Sequence, residues 1–503
     1  MAGDRPLNDD VLPGAEREGI GNTAISGGRW LAGTQGATEV ISFVSLVVLA
    51  RLVAPDQYGY AAAAVLFPTV AEVLLYEGFG TALVRRRSAT YGEARVATTL
   101  SLASGLLLFV AVFFGVKLAG GSVAATQVHL IQLAGGAFLL SAPNIVPQAL
   151  QQRRLAFRTI AMRDTAGAIL GVLSSVVFAL AGLGGTAVIL GLLVRRLTIT
   201  VLLQLVTERV GPGWDRSVAR SVLSFGTSSS IAGVLFLAKK NIDYFILSFL
   251  ISPTQLGFYY RGYSLGVDYQ GKVSQTSTRM ALPLLARSRD NEDMWYMRKR
   301  LSRLQMSLVV PVLAVFAVTA PQVIPVVFGE RWAPAASAAQ ILVIVPFIGM
   351  VGSGTGPLMM AQNRPGVLAW TNAASVVLYA LTILAFGHMT LIHLCWVVAA
   401  YNVIFTVVSA YVSLNLILDY DVKDLVVELV QPLVAVLPTL ALLPVVRHFD
   451  VSLPAMLLAV IGVGSFCLVT YKLVMRTLFR ETWTDISSVA RRFVPRRRQV
   501  VTA

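Results

Sequence analysis

Leu52-Val53-Ala54-Pro55-Asp56-Gln57-Tyr58-Gly59-Tyr60 is a short turn sequence between two long apolar runs. The same pattern, L-x-x-P-x-Q-x-G-aromatic, returns as Leu250-Ile251-Ser252-Pro253-Thr254-Gln255-Leu256-Gly257-Phe258. A second set of landmarks follows each turn in the same order: Pro147, Gln152 and Arg154 first, then Pro357, Gln362 and Arg364. Two matches in register indicate an internal repeat embedded in apolar sequence. This organisation is typical of secondary transporters, whose substrate sites lie between the repeats.

The composition is that of a helical membrane protein that crosses the bilayer many times. Of 503 residues, 56% are hydrophobic and only 13% are charged, and the mean hydropathy is +0.71. A soluble protein of this length does not need so much apolar surface. The two cysteines, Cys395 and Cys467, lie within apolar runs, which argues against a disulfide framework or a thiolate metal site.

Apolar runs long enough for a helix to cross the hydrocarbon predict about 14 spans. They are 29–53, 59–84, 97–118, 127–150, 160–182, 184–206, 222–251, 254–282, 305–328, 334–360, 366–386, 390–416, 429–447 and 453–475. We expect an all-α fold with two six-helix lobes in parallel repeat, 29–221 and 222–416, and two further helices in 417–476. The remaining segments, 1–28 and 477–503, are predicted as cytoplasmic tails.

Lysine and arginine residues give the expected orientation. They are concentrated after even-numbered spans, among them Arg85, Arg86, Arg87, Arg153, Arg154, Arg158, Arg298, Lys299 and Arg300. Loops after odd-numbered spans carry few: Arg51, Lys117, Arg331 and Arg447. Because cytoplasmic loops are enriched in these residues, both termini are predicted in the cytoplasm. The net charge of +15 therefore reflects topology, and no nucleic-acid partner is expected.

Two polar segments are expected at the membrane surface. Residues 287–296 are amphipathic, and we expect them to lie at the membrane interface. The basic tail, 477–503, has two interpretations, which are contact with anionic lipids and a topology anchor.

Five short motifs carry a family resemblance. They are Leu83-Val84-Arg85-Arg86, Gln152-Arg153-Arg154-Leu155-Ala156-Phe157-Arg158, Phe225-Gly226 with Asn241-Ile242-Asp243-Tyr244-Phe245-Ile246, Leu256-Gly257-Phe258-Tyr259-Tyr260-Arg261-Gly262-Tyr263, and Phe328-Gly329-Glu330-Arg331-Trp332-Ala333-Pro334-Ala335. Together they resemble the polysaccharide transporter branch (Wzx-like, colanic-acid and teichuronic-acid exporters) of the multidrug/oligosaccharidyl-lipid/polysaccharide superfamily. The resemblance runs from about residue 30 to about residue 365. Gly262 stands where that family usually has Ala, and Arg195-Arg196 within span six is unusual.

The resemblance implies a flippase or exporter of polyprenyl-diphosphate-linked oligosaccharide or of polysaccharide, located in the bacterial plasma (inner) membrane. It also implies the polysaccharide polymerase or export machinery as a partner, and a monomer is expected. The sequence lacks the G-x-x-x-x-G-K-[ST] pattern of nucleotide-binding loops, so we expect no cofactor, no metal and no enzymatic activity.

Cationic residues within spans are candidates for binding an anionic headgroup, because a charge at that depth must face a cavity or a partner. Span seven contains Lys239, Lys240 and Asp243, and span eight contains Arg261. Lys239 and Asp243 are four residues apart and could form a structural ion pair, which would leave Lys240 about 100° round the helix. Lys240 therefore has two interpretations, a diphosphate ligand or part of a structural cluster. Arg261 is the second anion candidate.

Carboxylates within spans are candidates for coupling ions or cavity counter-ions. They are Glu39, Glu72, Asp243 and Asp268. If the substrate were a cation, the same acidic residues would serve a multidrug antiporter of the same fold, which is the main alternative. A non-transporting scaffold and a lipid II transporter are further alternatives. Lys239, Lys240 and Arg261 favour an anionic, lipid-linked substrate.

Overall fold

The structure, a computed structural model, describes residues 12, 20–85, 89–118, 124–267, 285, 288, 290–362, 364–418, 420–448, 451–480, 482–484 and 487. These residues form α-helices joined mostly by short turns. In chain order the helices are α1 (Ile20–Leu52), α2 (Pro55–Ala64), α3 (Leu66–Leu75), α4 (Thr81–Arg85), α5 (Tyr91–Leu118), α6 (Ala125–Ser141), α7 (Ile145–Arg153), α8 (Phe157–Leu180), α9 (Gly185–Val206), α10 (Arg216–Leu250), α11 (Pro253–Gly266), α12 (Asn291–Phe328), α13 (Ala333–Leu342), α14 (Ile344–Ser353), α15 (Thr355–Ala361), α16 (Pro365–Phe386), α17 (Leu391–Ala410), α18 (Val422–Leu440), α19 (Leu443–Val446) and α20 (Leu453–Thr477).

Ten helical segments among the described residues are long and apolar enough to cross a membrane. They are Pro55–Val84, Tyr91–Leu118, Ala125–Arg153, Phe157–Leu180, Gly185–Val206, Asn291–Phe328, Glu330–Met360, Gly366–Phe386, Leu391–Asn415 and Leu453–Thr477. Each one coincides with a span that the sequence predicts. The prediction of an all-helical membrane protein is therefore confirmed.

The other four predicted spans stay predictions. Two of them fall on the long helices α1 and α10, of 33 and 35 residues. Most of the eighth span, after Val267, lies outside the described residues. The thirteenth falls on a shorter apolar helical stretch, Val430–Val446.

The chain divides into two compact units. Unit 1 comprises Met1–Gly257 with Tyr379–Gly387, and unit 2 comprises Phe258–Leu378 with His388–Ala503. The predicted lobes and their parallel repeat stay a prediction.

Within unit 1, helices α8 and α9 pack at a seam of small residues. A Cβ atom built on Gly171 of α8 would lie 2.9 Å from the carbonyl oxygen of Gly191 on α9. A Cβ on Gly191 would lie 2.7 Å from the carbonyl oxygen of Gly171 and would collide with the hydroxyl of Ser175. Because lipid removes most of the hydrophobic drive for helix association, such close backbone contact stabilises the pair. Gly167 and Gly171 of this seam have G-x-x-x-G spacing, a helix-packing signal that was not among the sequence predictions.

The two repeated turns contact each other within unit 1. Pro55 begins α2 and Pro253 begins α11, and a proline in the first turn of a helix sacrifices no helical hydrogen bond. Gly59 and Gly257 each lie one turn further on. A Cβ on Gly59 would lie 2.5 Å from the carbonyl carbon of Pro253, and a Cβ on Gly257 would lie 2.9 Å from that of Pro55. Each glycine thus packs on the proline carbonyl of the other turn, so the contact is reciprocal.

Unit 2 contains the longest helix, α12, whose 38 residues extend over about 57 Å, well beyond a hydrocarbon core of about 30 Å. Its first turn is capped by Asp290, whose carboxylate accepts from the backbone N–H of Asp293. Trp295, within the segment 287–296 that the sequence predicts at the interface, is buried and stacks on Tyr420 with the ring centroids 4.7 Å apart. The location of this segment at the membrane interface stays a prediction.

Tyr420 connects this stacked pair to the second set of landmarks. The amide of Gln362 donates to the Tyr420 hydroxyl at 2.8 Å, and that hydroxyl donates to the carbonyl oxygen of Asn291 at 3.1 Å. Burial raises the pKa of the Tyr420 phenol above its ordinary value. The hydroxyl therefore stays protonated and remains a donor at neutral pH.

Gly262 lies where α11 crosses α13 within unit 2. A Cβ on Gly262 would lie 2.8 Å from the Cβ of Ala338 and 3.0 Å from the backbone nitrogen of Ala339. The crossing therefore leaves no room for the alanine that the family usually has at this position.

We expect Gly59→Ala and Gly257→Ala each to lower the free energy of unfolding by about 1–3 kcal/mol, because the added methyl group would collide with the backbone of the other turn. Melting of the detergent-purified protein measures the effect. Gly115→Ala is the matched control, since nothing lies within 4 Å of its Cβ position. Equal melting temperatures for all three variants would show that the two turns do not hold this contact.

Gly262→Ala should also destabilise the protein, and Ala338→Gly in the same chain should restore part of the loss by removing the methyl that it meets. The double-mutant cycle is measured by melting temperature. Additive effects of the two substitutions would contradict the contact.

Candidate functional site

Six of the seven predicted site residues lie within the described part of the chain, and Asp268 lies outside it. Lys239 and Lys240 are exposed on α10, and Glu39 is half-buried on α1. The part of these three residues in binding or coupling stays a prediction.

Asp243, one turn beyond Lys239, is fully buried in unit 1. Its Oδ2 atom accepts a hydrogen bond of 3.1 Å from the hydroxyl of Tyr379. Tyr379 was not a predicted site residue, because it lies 136 residues away along the chain. The ion pair between Lys239 and Asp243 stays a prediction.

Arg261 is fully buried within unit 2. Its guanidinium carbon lies 4.9 Å from the ring centroid of Trp332 and 5.4 Å from that of Phe328. A guanidinium over aromatic faces is stabilised by cation–π attraction. Gly329, with φ of +101°, makes the turn that brings Phe328 and Trp332 together. The motifs 256–263 and 328–335 thus contact each other through Arg261. The part of Arg261 in anion binding stays a prediction.

Glu72 forms an ion pair with Arg196 inside unit 1. Arg196 also donates to the carbonyl oxygen of Pro68 at 3.3 Å. Glu72 was predicted as a coupling residue and Arg196 was noted as unusual, but the sequence does not indicate that the two form an ion pair. They lie 124 residues apart and meet because α3 and α9 both pack against α6.

The same ion pair borders a cavity of about 300 Å³ within unit 1. Its lining includes the charged residues Glu72, Arg163, Asp164, Arg195 and Arg196, with Thr69 and Gln148. Such a cavity holds polar or charged groups at a depth where lipid would not accept them.

Arg163 continues this polar network on α8. It donates to Asp164 at 2.9 Å and to the side-chain oxygen of Gln151 at 3.2 Å. The Gln151 amide in turn donates to the Thr207 hydroxyl at 2.9 Å. None of these neutral partners was a predicted site residue, because a buried amide carries no distinctive sequence signal.

The amino-acid sequence matches a known protein family. A family model described as "Polysaccharide biosynthesis protein" matches residues 48–337, more than half of the chain. The chain is 25% identical over 426 residues to the Lipopolysaccharide biosynthesis protein WzxC of Escherichia coli (strain K12), covering 83% of this chain and 86% of that protein. It is 22% identical over 392 residues to the Teichuronic acid biosynthesis protein TuaB of Bacillus subtilis (strain 168), covering 76% and 80%.

Solved structures show the same fold at lower identity. The lipid II flippase MurJ in an inward closed conformation superposes with a TM-score of 0.73 at 11% identity, over 89% of this chain and 99% of that one. An inward-facing multidrug resistance MATE family transporter of the MOP superfamily gives 0.57 at 16% identity, over 74% and 92%. This chain therefore belongs to the polysaccharide biosynthesis protein family, as a multi-pass membrane protein that resembles WzxC in sequence and MurJ in fold.

Proposed function

We propose that this protein moves polyprenyl-diphosphate-linked oligosaccharide, or polysaccharide, from the cytoplasmic to the outer leaflet of the bacterial plasma membrane by alternating access. The family and the MurJ-like fold support the class of substrate. The observation that carries the proposal is the pair of adjacent, exposed lysines on α10.

The proposal includes an architecture of 14 spans in two six-helix lobes, with both termini in the cytoplasm. Ten spans coincide with apolar helices. The reciprocal packing of Gly59 on Pro253 and of Gly257 on Pro55 supports a two-fold relation between the repeats.

The chemistry rests on desolvation of the headgroup. A diphosphate diester carries about two negative charges, and their hydration must be replaced during crossing. The Lys240 ammonium is a compact charge with three donors and can take the place of that water. Arg261 would add a forked second contact if movement during transport exposed it, since it is buried in this conformation.

The main alternative is a MATE-like multidrug or cation antiporter. It would need carboxylates available to a cation, with Glu39, Glu72 and Asp268 as the candidates. Glu72 is already neutralised by Arg196, which favours the anionic substrate instead.

Lys240→Met should reduce export of the glycan by at least about tenfold, since the lost interaction is a charge-assisted one. Lys240→Arg should retain part of the activity, because charge rather than volume is the property required. The measurement is surface glycan in cells that depend on this protein for export, with size-exclusion chromatography as a check of folding.

Lys117→Met is the control. Lys117 is exposed at the end of α5, and its ammonium lies over the ring of Phe113. Normal export by Lys240→Met would show that the diphosphate is held elsewhere.

The sequence contains no G-x-x-x-x-G-K-[ST] loop, so we propose that transport runs on an ion gradient or on substrate supply, with Glu39, Glu72 and Asp268 as the coupling candidates. We expect flipping in proteoliposomes to respond to a pH or Na⁺ gradient, and Glu39→Gln to weaken that response. Flipping that is insensitive to both gradients would contradict coupling.

A further inference from the structure

The cavity within unit 1 has an excess of positive charge. Three guanidinium groups line it, from Arg163, Arg195 and Arg196, together with the two carboxylates of Glu72 and Asp164. Glu72 is paired with Arg196, and Asp164 with Arg163 at 2.9 Å. Among the lining residues two pairs account for four charges and leave one positive charge, on which the carboxylate of Glu39 on α1 also acts electrostatically.

Arg195 carries that remaining charge. Among the residues that the structure describes, its guanidinium makes no hydrogen bond and no ion pair within 4 Å. It lies midway along α9, a membrane-spanning helix. A cation at this depth needs a compensating anion or water.

The position of Arg195 is fixed by the small-residue seam between α8 and α9. A Cβ on Gly171 would lie 2.8 Å from the Cβ of Arg195, and a Cβ on Gly167 would lie 3.2 Å from its carbonyl oxygen. The Arg195 backbone therefore rests directly against α8. This support limits the positions that its side chain can take in the cavity.

Two neutral donors line the same cavity. They are the hydroxyl of Thr69 and the side-chain amide of Gln148, and neither forms a hydrogen bond with another described residue. A planar guanidinium with nearby hydroxyl and amide donors is the set of groups that binds phosphate oxygens. A cavity of about 300 Å³ has room for one such group.

We propose that this cavity binds one phosphate-class oxyanion of single negative charge, with Arg195 as its main ligand and Thr69 and Gln148 as neutral donors. Arg195 has no ion-pair partner within 4 Å among the described residues, and the carboxylates of Glu72, Asp164 and Glu39 disfavour a second anionic group. Free phosphate and the phosphodiester of a lipid headgroup share this chemistry. Lys240 does not line this cavity, and the test below measures binding, whereas the test of Lys240 measures export. Either proposal can therefore fail without contradicting the other.

The test is equilibrium binding to the full-length protein in a phosphate-free sugar detergent. Inorganic phosphate is titrated at mildly acidic pH, where it carries one charge, and phosphatidylglycerol and undecaprenyl phosphate are titrated separately. We expect one equivalent to bind and to raise the melting temperature. Stronger binding of the lipids than of inorganic phosphate would assign the site to a lipid headgroup, and the reverse would assign it to the free ion.

Arg195→Gln should weaken binding by at least about tenfold. Glu72→Gln should strengthen it, because the substitution raises the positive excess by one charge. Arg154→Gln is the matched control, since Arg154 pairs with Glu208 at the surface, outside the cavity. Thr69→Val keeps the side-chain shape and should weaken binding a few-fold, so it serves where Arg195→Gln does not fold.

Unchanged binding in Arg195→Gln, or in Thr69→Val where that variant is used, would overturn the proposal. Weaker binding in Glu72→Gln would do so as well, because removal of a carboxylate reduces the repulsion of an anion bound in this cavity. The absence of a saturable equivalent in the unsubstituted protein would equally exclude an anion site.

Discussion

Close approach of helix backbones at small residues is the constraint on which the rest of this structure depends. In lipid, association of helices gains little from burying apolar side chains, so van der Waals contact and hydrogen bonding between helices must hold them. The two turns meet through Gly59 and Gly257, and helices α8 and α9 meet through Gly171 and Gly191. In unit 2, Gly262 allows the same close approach where α11 crosses α13.

This close packing determines which charges can be kept inside the membrane. Where α9 rests against α8, Arg195 and Arg196 are directed to a cavity that also holds Glu72 and Asp164. Where α11 crosses α13, Arg261 lies over the rings of Phe328 and Trp332. Asp243 is accommodated in a third way, by the neutral hydroxyl of Tyr379. Ion pairing, cation–π attraction and hydrogen bonding thus each lower the cost of a buried charge.

The short motifs shared with polysaccharide exporters acquire physical roles in this arrangement. The turn after Phe328 needs Gly329 because its φ is positive, and it delivers Trp332 to Arg261. In the first set of landmarks, Arg153 donates to the carbonyl oxygen of Leu83 at 2.6 Å, which ties α7 to the end of α4. Arg154 pairs with Glu208 at 2.9 Å, and Gln362 of the second set donates to Tyr420. These motif residues secure helix ends.

The sequence by itself determined the fold class, ten of the spans and the family resemblance, because hydropathy, helix length and local motifs are properties of contiguous residues. It also identified the repeated turns, although not that they contact each other. Tertiary structure decided the partners of the charges: Arg196 for Glu72, Tyr379 for Asp243, and two aromatic rings for Arg261. The stacking of Trp295 on Tyr420 is likewise a tertiary contact. These partners lie far apart along the chain, and their meeting depends on how each helix is rotated and packed, which local periodicity does not encode.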